Sequence, residues 1–150
     1  MLLPLNDIAL LIREITDTSY TGFVGFPTDI VDAADKWGEI VKQTTLDIVP
    51  ISTAHAAAKA AFEAIVIAQV PVTGMVGLSN AFAAYAAQLA SGMIGLAAVP
   101  PPTLIDFSTS AALGFSGASA EVVALSMAST IKDWFMTGTA TVLGVTVLWT

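Results

Sequence analysis

Ser119–Thr150, SAEVVALSMASTIKDWFMTGTATVLGVTVLWT, decides the fold class because its hydrophobic period changes part-way along. Leu125, Ala128, Ile131 and Phe135 trace one helical face, with Met127 and Trp134 beside it. Ser119 is a good N-cap, Glu121 places a negative charge in the first turn, and Gly138 stands where the helix should stop. From residue 139 Val, Thr and Trp dominate and the spacing falls to two. Thr141 and Leu143 would share a side of one strand, and Val145, Val147 and Trp149 a side of the next, with Leu143-Gly144 as a tight turn. The pattern predicts a helix over about 120–135, then a small hairpin or one extended strand that must pair or pack to be stable.

Upstream the helical period dominates. Asn6 can cap a short helix bearing Ile8, Leu11, Ile12 and Ile15. After the loop DTSYTGFVGF, a helix starting at Pro27 or Thr28 carries Ile30, Ala34, Trp37 and Val41 on one side and an Asp32–Lys36 pair on another. A third helix, beginning near Ser52 or Thr53, packs through Ala58, Phe62, Ile65 and Val66, pairs Lys59 with Glu63, and ends or bends at Pro71. PVTGMVGLSN reads as a connector, with Ser79 or Asn80 capping a helix from Ala81 to about Met93 whose knobs are Phe82, Tyr85, Leu89 and Met93. Pro100–Pro102 open an extended connector over 100–107, and Ser108–Leu113 adds a short helical turn. The expectation is one mainly α domain over 1–150, a compact bundle of about four to five helices with a short C-terminal β-hairpin or extended strand.

Composition narrows the function classes. The chain of 150 residues is 55% hydrophobic and 11% charged, so it has more apolar surface to hide than a small monomer normally needs. Its net charge of -7 and five scattered cations, Arg13, Lys36, Lys42, Lys59 and Lys132, argue against nucleic-acid binding and against a polybasic membrane anchor. Absence of cysteine removes disulfides and thiol chemistry. The opening MLLPLNDIALLIREI lacks the basic n-region of a secretory signal. No charge lies between Glu63 and Asp106, and Ala81–Val99 (AFAAYAAQLASGMIGLAAV) is long enough to cross a bilayer, although eight alanines with Gln88, Ser91, Gly92 and Gly95 weaken its drive to insert.

No complete catalytic, cofactor or metal set is legible. His55, the single histidine, lies in STAHAAAKAAFE without a metal-ligand motif. Ser52 and Thr53 lie near it, but nearness in sequence is not a charge relay, and GFSGAS at Gly114–Ser119 lacks the spacing of a nucleophile elbow. Asp29, Asp32, Asp35 and Glu39 line the second helix, where Asp32 with Asp35 and Asp35 with Glu39 share faces; a solvated face is the reading, a cation site the sharper alternative. SGMIG at Ser91–Gly95 suits close helix contact, and no glycine-rich phosphate cradle is present.

The stretch ALGFSGASAEVVALSMASTIKDWFMTGTAT followed by VLGVTVLWT, together with AFAAYAAQLASGM, resembles small virion structural proteins of tailed bacteriophages, particularly a type seen among marine and cyanobacterial phages. The likeness covers Ala81–Thr150, with weaker echoes in DAADKWGEIV and AAAKAAF; the short PPPT connector departs from the longer proline-rich loops of that type. The resemblance implies a repeated or ring-forming particle component, made in the host cytoplasm and resident in the virion, with itself and other phage structural proteins as partners; the missing catalytic and cofactor motifs add the expectation of no cofactor and no enzymatic role. The expectation is that Trp134-Phe135 and residues 139–150 contribute to assembly, and that deleting 141–150 leaves monomer helicity largely intact. Two other readings stay open: a lysis-related membrane protein spanning at Ala81–Val99 and at Ala61–Leu78, and a small hydrolase built on His55.

Overall fold

Amphipathic stripes on successive segments dictate a helical bundle, and the computed structural model, which describes residues 1–150, has six helices and one hairpin. These are α1 (Leu5–Thr16), α2 (Ile30–Thr45), α3 (His55–Thr73), α4 (Met75–Ser91), α5 (Ser108–Phe115) and α6 (Ala120–Phe135), then β1 (Thr139–Val142) and β2 (Val145–Leu148). The sixth helix beyond the expected four to five is α5, which extends the anticipated turn to eight residues. Along the chain α2 packs on α3, α3 on α4, and α5 on α6, while α1 closes the bundle against α6.

Helix ends follow local chemistry. Asp29 caps α2 by accepting from the amides of Val31 and Asp32, both at 2.9 Å, and Ser119 caps α6 by accepting from Val122 N. The first helix starts at Leu5 with Pro4 in the cap position, two residues before the expected Asn6 cap, because proline already holds a φ of -55° that suits a helix entrance.

Residues 71–80 form no connector: α3 runs through Pro71 to Thr73 and α4 resumes at Met75, so Gly74 alone, at φ 56° and ψ -122°, reverses the chain. Proline's φ is helical, and near an exposed helix end its lost donor costs little. The reversal is tight at Gly77, where an added Cβ would lie 2.8 Å from the Gln69 carbonyl carbon and the Val70 nitrogen. Asn80 Nδ2 donates to Gln69 Oε1 at 2.8 Å across the same pair of helices. Ser79 is no cap; from inside α4 its hydroxyl donates to Ile105 O at 2.8 Å.

The core lies around α4. Phe82 meets Phe62 of α3 edge-on at 5.3 Å and Trp134 of α6 edge-on at 6.0 Å, with Phe107 and Phe135 tilted against it. Such edge-to-face pairs add about 0.5–1.5 kcal/mol each beyond their burial. Tyr85 is fully buried, its hydroxyl 2.7 Å from Thr45 Oγ1 at the end of α2. The proline connector is tied down where Trp134 Nε1 donates to Thr103 O at 2.7 Å; Ile105 and Phe107 are buried, while Leu104 between them is 54% exposed.

Neither proposed membrane segment is a continuous helix. Ala81–Val99 is helical only to Ser91, and Ala61–Leu78 is broken at Gly74. The helix long and apolar enough to cross a membrane is instead α3, with a mean hydropathy of 1.3.

The tail is part of the fold. β1 and β2 pair antiparallel through a two-residue turn in which Leu143 (φ 51°) and Gly144 (φ 81°) are both left-handed, as a primed hairpin turn requires. Leu143 therefore occupies the turn and not a strand face. Trp149 is fully buried, its indole Nε1 donates to Thr139 O at 3.0 Å, and its ring lies where a Cβ on Gly138 would approach Cδ2 to 2.5 Å. Val49 and Thr150 exchange backbone hydrogen bonds at 2.8 and 3.0 Å. Deleting 141–150 would thus remove the buried Trp149 and the Thr150–Val49 bonds, so the tail contributes to the core as well as offering a strand.

Candidate functional site

His55 opens α3, and the residues before it are already committed elsewhere. Ser52 Oγ donates to Leu89 O at 2.6 Å, and Thr53 donates to Gly92 O through both its amide (3.0 Å) and its hydroxyl (3.2 Å). These bonds satisfy the Gly92 carbonyl just beyond α4 and give Leu89 O a second donor beside Gly92 N. A Cβ on Gly92 would collide with Ser52 Oγ and Ala54, so SGMIG serves as the stopping point of α4 against the 52–54 segment, and not as a helix-packing stripe. Both His55 ring nitrogens are enclosed without a hydrogen-bond partner. Burial holds the imidazole below its ordinary pKa, with the positive charge of Lys42 adding to the effect and Asp47 opposing it. No serine or threonine hydroxyl is hydrogen-bonded to it.

The carboxylates of α2 divide into two groups. Asp32 accepts from Thr28 N at 2.8 Å and pairs with Lys36 at 3.0 Å; the Thr28 amide bond, then Lys36, lower its pKa. Asp35 and Glu39 turn instead towards α3, where Lys59 Nζ lies 2.5 Å from Asp35 Oδ1, 2.5 Å from Glu63 Oε1 and 4.0 Å from Glu39 Oε2. Burial acts to lower the pKa of Lys59, but the bonds from Asp35 and Glu63 outweigh it and leave it raised. Gly38 permits this crossing, since a Cβ there would press on Lys59 Cγ and Glu63 Oε1 at 3.2 Å. The sequence shows Lys59–Glu63 as a local pair; that α2 supplies further carboxylates to the same ammonium depends on the α2–α3 packing. The cluster is an interhelical ion-pair clamp, and no group of three or more His, Asp or Glu side chains is arranged to hold a metal ion.

GFSGAS resolves into two helix ends. Ser116 Oγ donates to Leu113 O at 2.8 Å at the close of α5, Gly117 takes φ 83°, and Ser119 caps α6.

What distinguishes the surface is uncovered apolar side chains. Phe115 is 94% exposed, Val72 83%, Ile94 80% and Ile51 76%. A groove of about 380 Å³ runs beside Met75, Phe107, Ala111, Phe115, Val123 and Met127, where the tip of the α3–α4 pair meets α5 and α6. Much of α3's outer side is also uncovered: Ala56, Ala57, Ala60, Ala64, Ile67, Ala68 and Val72 are exposed and none is charged. The helical spacing of its buried residues revealed which side faces inward; the groove has no sequence signal, because it forms only where packing brings Met75 of α4 against the stretch from Phe107 to Met127.

Comparison with known proteins finds no matching family model, no matching curated protein and no matching solved structure.

Proposed function

We propose that this chain is a structural subunit of a tailed-bacteriophage particle, one that completes the burial of its apolar surface against copies of itself and other particle proteins. The observation that carries the assembly reading is the uncovered apolar surface, above all Phe115, Val72 and the groove beside Met75 and Met127. Fully burying a side chain such as Val or Phe is worth about 1.5–3 kcal/mol, and extended apolar patches on small domains mark contact sites. The attribution to a phage particle rests on the resemblance of Ala81–Thr150. The buried Trp134-Phe135 pair supports assembly only indirectly, by fixing the helix from which the C-terminal hairpin projects.

The test is detergent-free expression followed by size-exclusion chromatography with light scattering. A discrete multimer is expected. Recovery only from membranes, with release by detergent but not by salt or alkali, would refute the proposal in favour of a bilayer role for α3, whose 18-residue apolar window is 17% buried.

A further inference from the structure

We infer that the outer edge of β2 is a homotypic pairing site, at which Thr146 and Leu148 of one copy bond to Leu148 and Thr146 of a second copy across a two-fold axis. The inference rests on the assembly reading, since it takes another copy of this chain as the partner.

The hydrogen-bond phase of the hairpin fixes which groups point outward. The two-residue turn makes Val142 and Val145 a bonded pair, so Ala140–Val147 is the next, and Trp149 N donating to Gly138 O at 2.9 Å continues the alternation. The intervening residues direct their backbone groups away from the hairpin. On β1 three of the four such groups are taken: Thr139 exchanges bonds with Val99 at 2.7 and 2.9 Å, and Thr141 N donates to Ala97 O at 3.3 Å. On β2, Val49 fills the same outward edge at Thr150. Thr146 and Leu148 make no backbone bond to any residue outside the hairpin. The edge thus accepts backbone at its base and is empty along the rest.

Three features select a second copy as the occupant. Only one edge of the hairpin is open, and an open edge is complementary to itself in antiparallel register, so two copies close one another and leave no further edge. Val147 would face its own counterpart on the axis, with Thr146 and Leu148 bonded on either side. Residues 134–150 contain no charged side chain, so two chains that each carry a net charge of -7 can meet here without bringing acidic side chains of this segment together. The usual edge protection is also missing, since β2 has no lysine, proline or bulge. Leu143, wholly exposed at the turn in a left-handed conformation, joins Val145 (62% exposed) and Leu148 (56%) as apolar area available to the contact. The turn thus holds a large apolar side chain fully in solvent, an exposure that burial against a partner would remove.

The test uses the full chain and two variants, Thr146→Pro and Leu148→Lys. Proline at 146 removes an outward donor and no bond within the hairpin; lysine at 148 places a charge on the edge. Light scattering over about 1–300 µM should show wild type forming a dimer or an even multiple of it, and each variant should raise the dissociation constant at least about tenfold with an unchanged far-UV circular dichroism spectrum. Amide exchange provides the second readout: protection at Thr146 and Leu148 should rise with concentration in the wild type. A wild-type multimer indifferent to both variants would overturn the edge pairing and leave the assembly reading standing. A wild-type monomer throughout, or exchange at these two amides independent of concentration, would overturn the pairing even if a variant failed to fold.

Discussion

Replacing Trp149 by alanine measures how far the last residues belong to the core. Trp149 is the largest fully buried side chain of the protein and occupies the space beside Gly138 that a methyl group there would invade. Truncating a buried aromatic to alanine costs about 3–5 kcal/mol through lost transfer energy and the cavity left behind. Little is added by the lost indole bond, because Thr139 O keeps its 2.7 Å bond from Val99 N. For a chain of this length total stability is about 8–20 kcal/mol, so the substitution removes a large share of it. The midpoint of thermal unfolding should fall by roughly 6–20 °C. Urea unfolding followed by circular dichroism is the suitable assay, since Trp37 and Trp134 would complicate fluorescence. Trp149→Phe should lose only about 1–2 kcal/mol, because it retains most of the ring volume. If Trp149→Ala shifted stability by less than about 1 kcal/mol, the tail would be an appendage and the packing of Trp149 on Gly138 energetically idle.

Thr45→Val should destabilise by about 1–3 kcal/mol in the same assay, because it strands the Tyr85 hydroxyl, whose pKa burial has already pushed well up; Thr45→Ser should largely preserve stability. Gly77→Ala should cost about 1–3 kcal/mol or more, since its Cβ meets rigid backbone at Gln69-Val70, whereas Gly114→Ala, facing open space on α5, should be neutral or stabilising by unfolding midpoint. His55 is held below its unfolded pKa of 6.5, so above that pH it is neutral in both states, and as pH falls the unfolded chain gains the proton first. Stability should therefore drop on acidification from pH 6.5 towards the lowered value. His55→Gln should flatten that slope in urea titrations at stepped pH, and an identical slope would remove His55 as its source.

The fold class was legible because most helices carry a one-sided stripe. The α6 boundaries were readable from Ser119, Glu121 and the period, and the turn at Leu143-Gly144 from the change to period two. Proline and glycine misled where tertiary packing decided: Pro71 lies inside a helix, and a single glycine at 74 does the work assigned to a ten-residue connector. The start signals were misplaced where the structure uses a residue for something else: Ser79, read as a cap, bonds the proline connector, and Ser52, read as near a helix start, bonds the end of α4. The Lys59 clamp was half visible, because an i,i+4 pair is a local pattern while Asp35 lies on a different helix. The open edge of β2 was out of reach for a different reason: which backbone groups point outward depends on hairpin phase and on Val99 and Val49 occupying the neighbouring positions.

The docking of α1 on α6, held at its rim by Arg13 to Glu121 at 3.5 Å, has a consequence for biosynthesis. Ile8, Ile12 and Ile15 are buried in the finished fold, yet their principal partner helix is translated more than a hundred residues later. At about 5–20 residues per second, the ribosome leaves that apolar face without its native cover for roughly 5–20 s. Over that interval α2, α3 and α4 can form and pair with their immediate neighbours in the chain. Helix α1 is thus made well before the helix that covers it and is among the last to be seated, and until then its isoleucine face is a transient hydrophobic handle of the kind that holding chaperones bind.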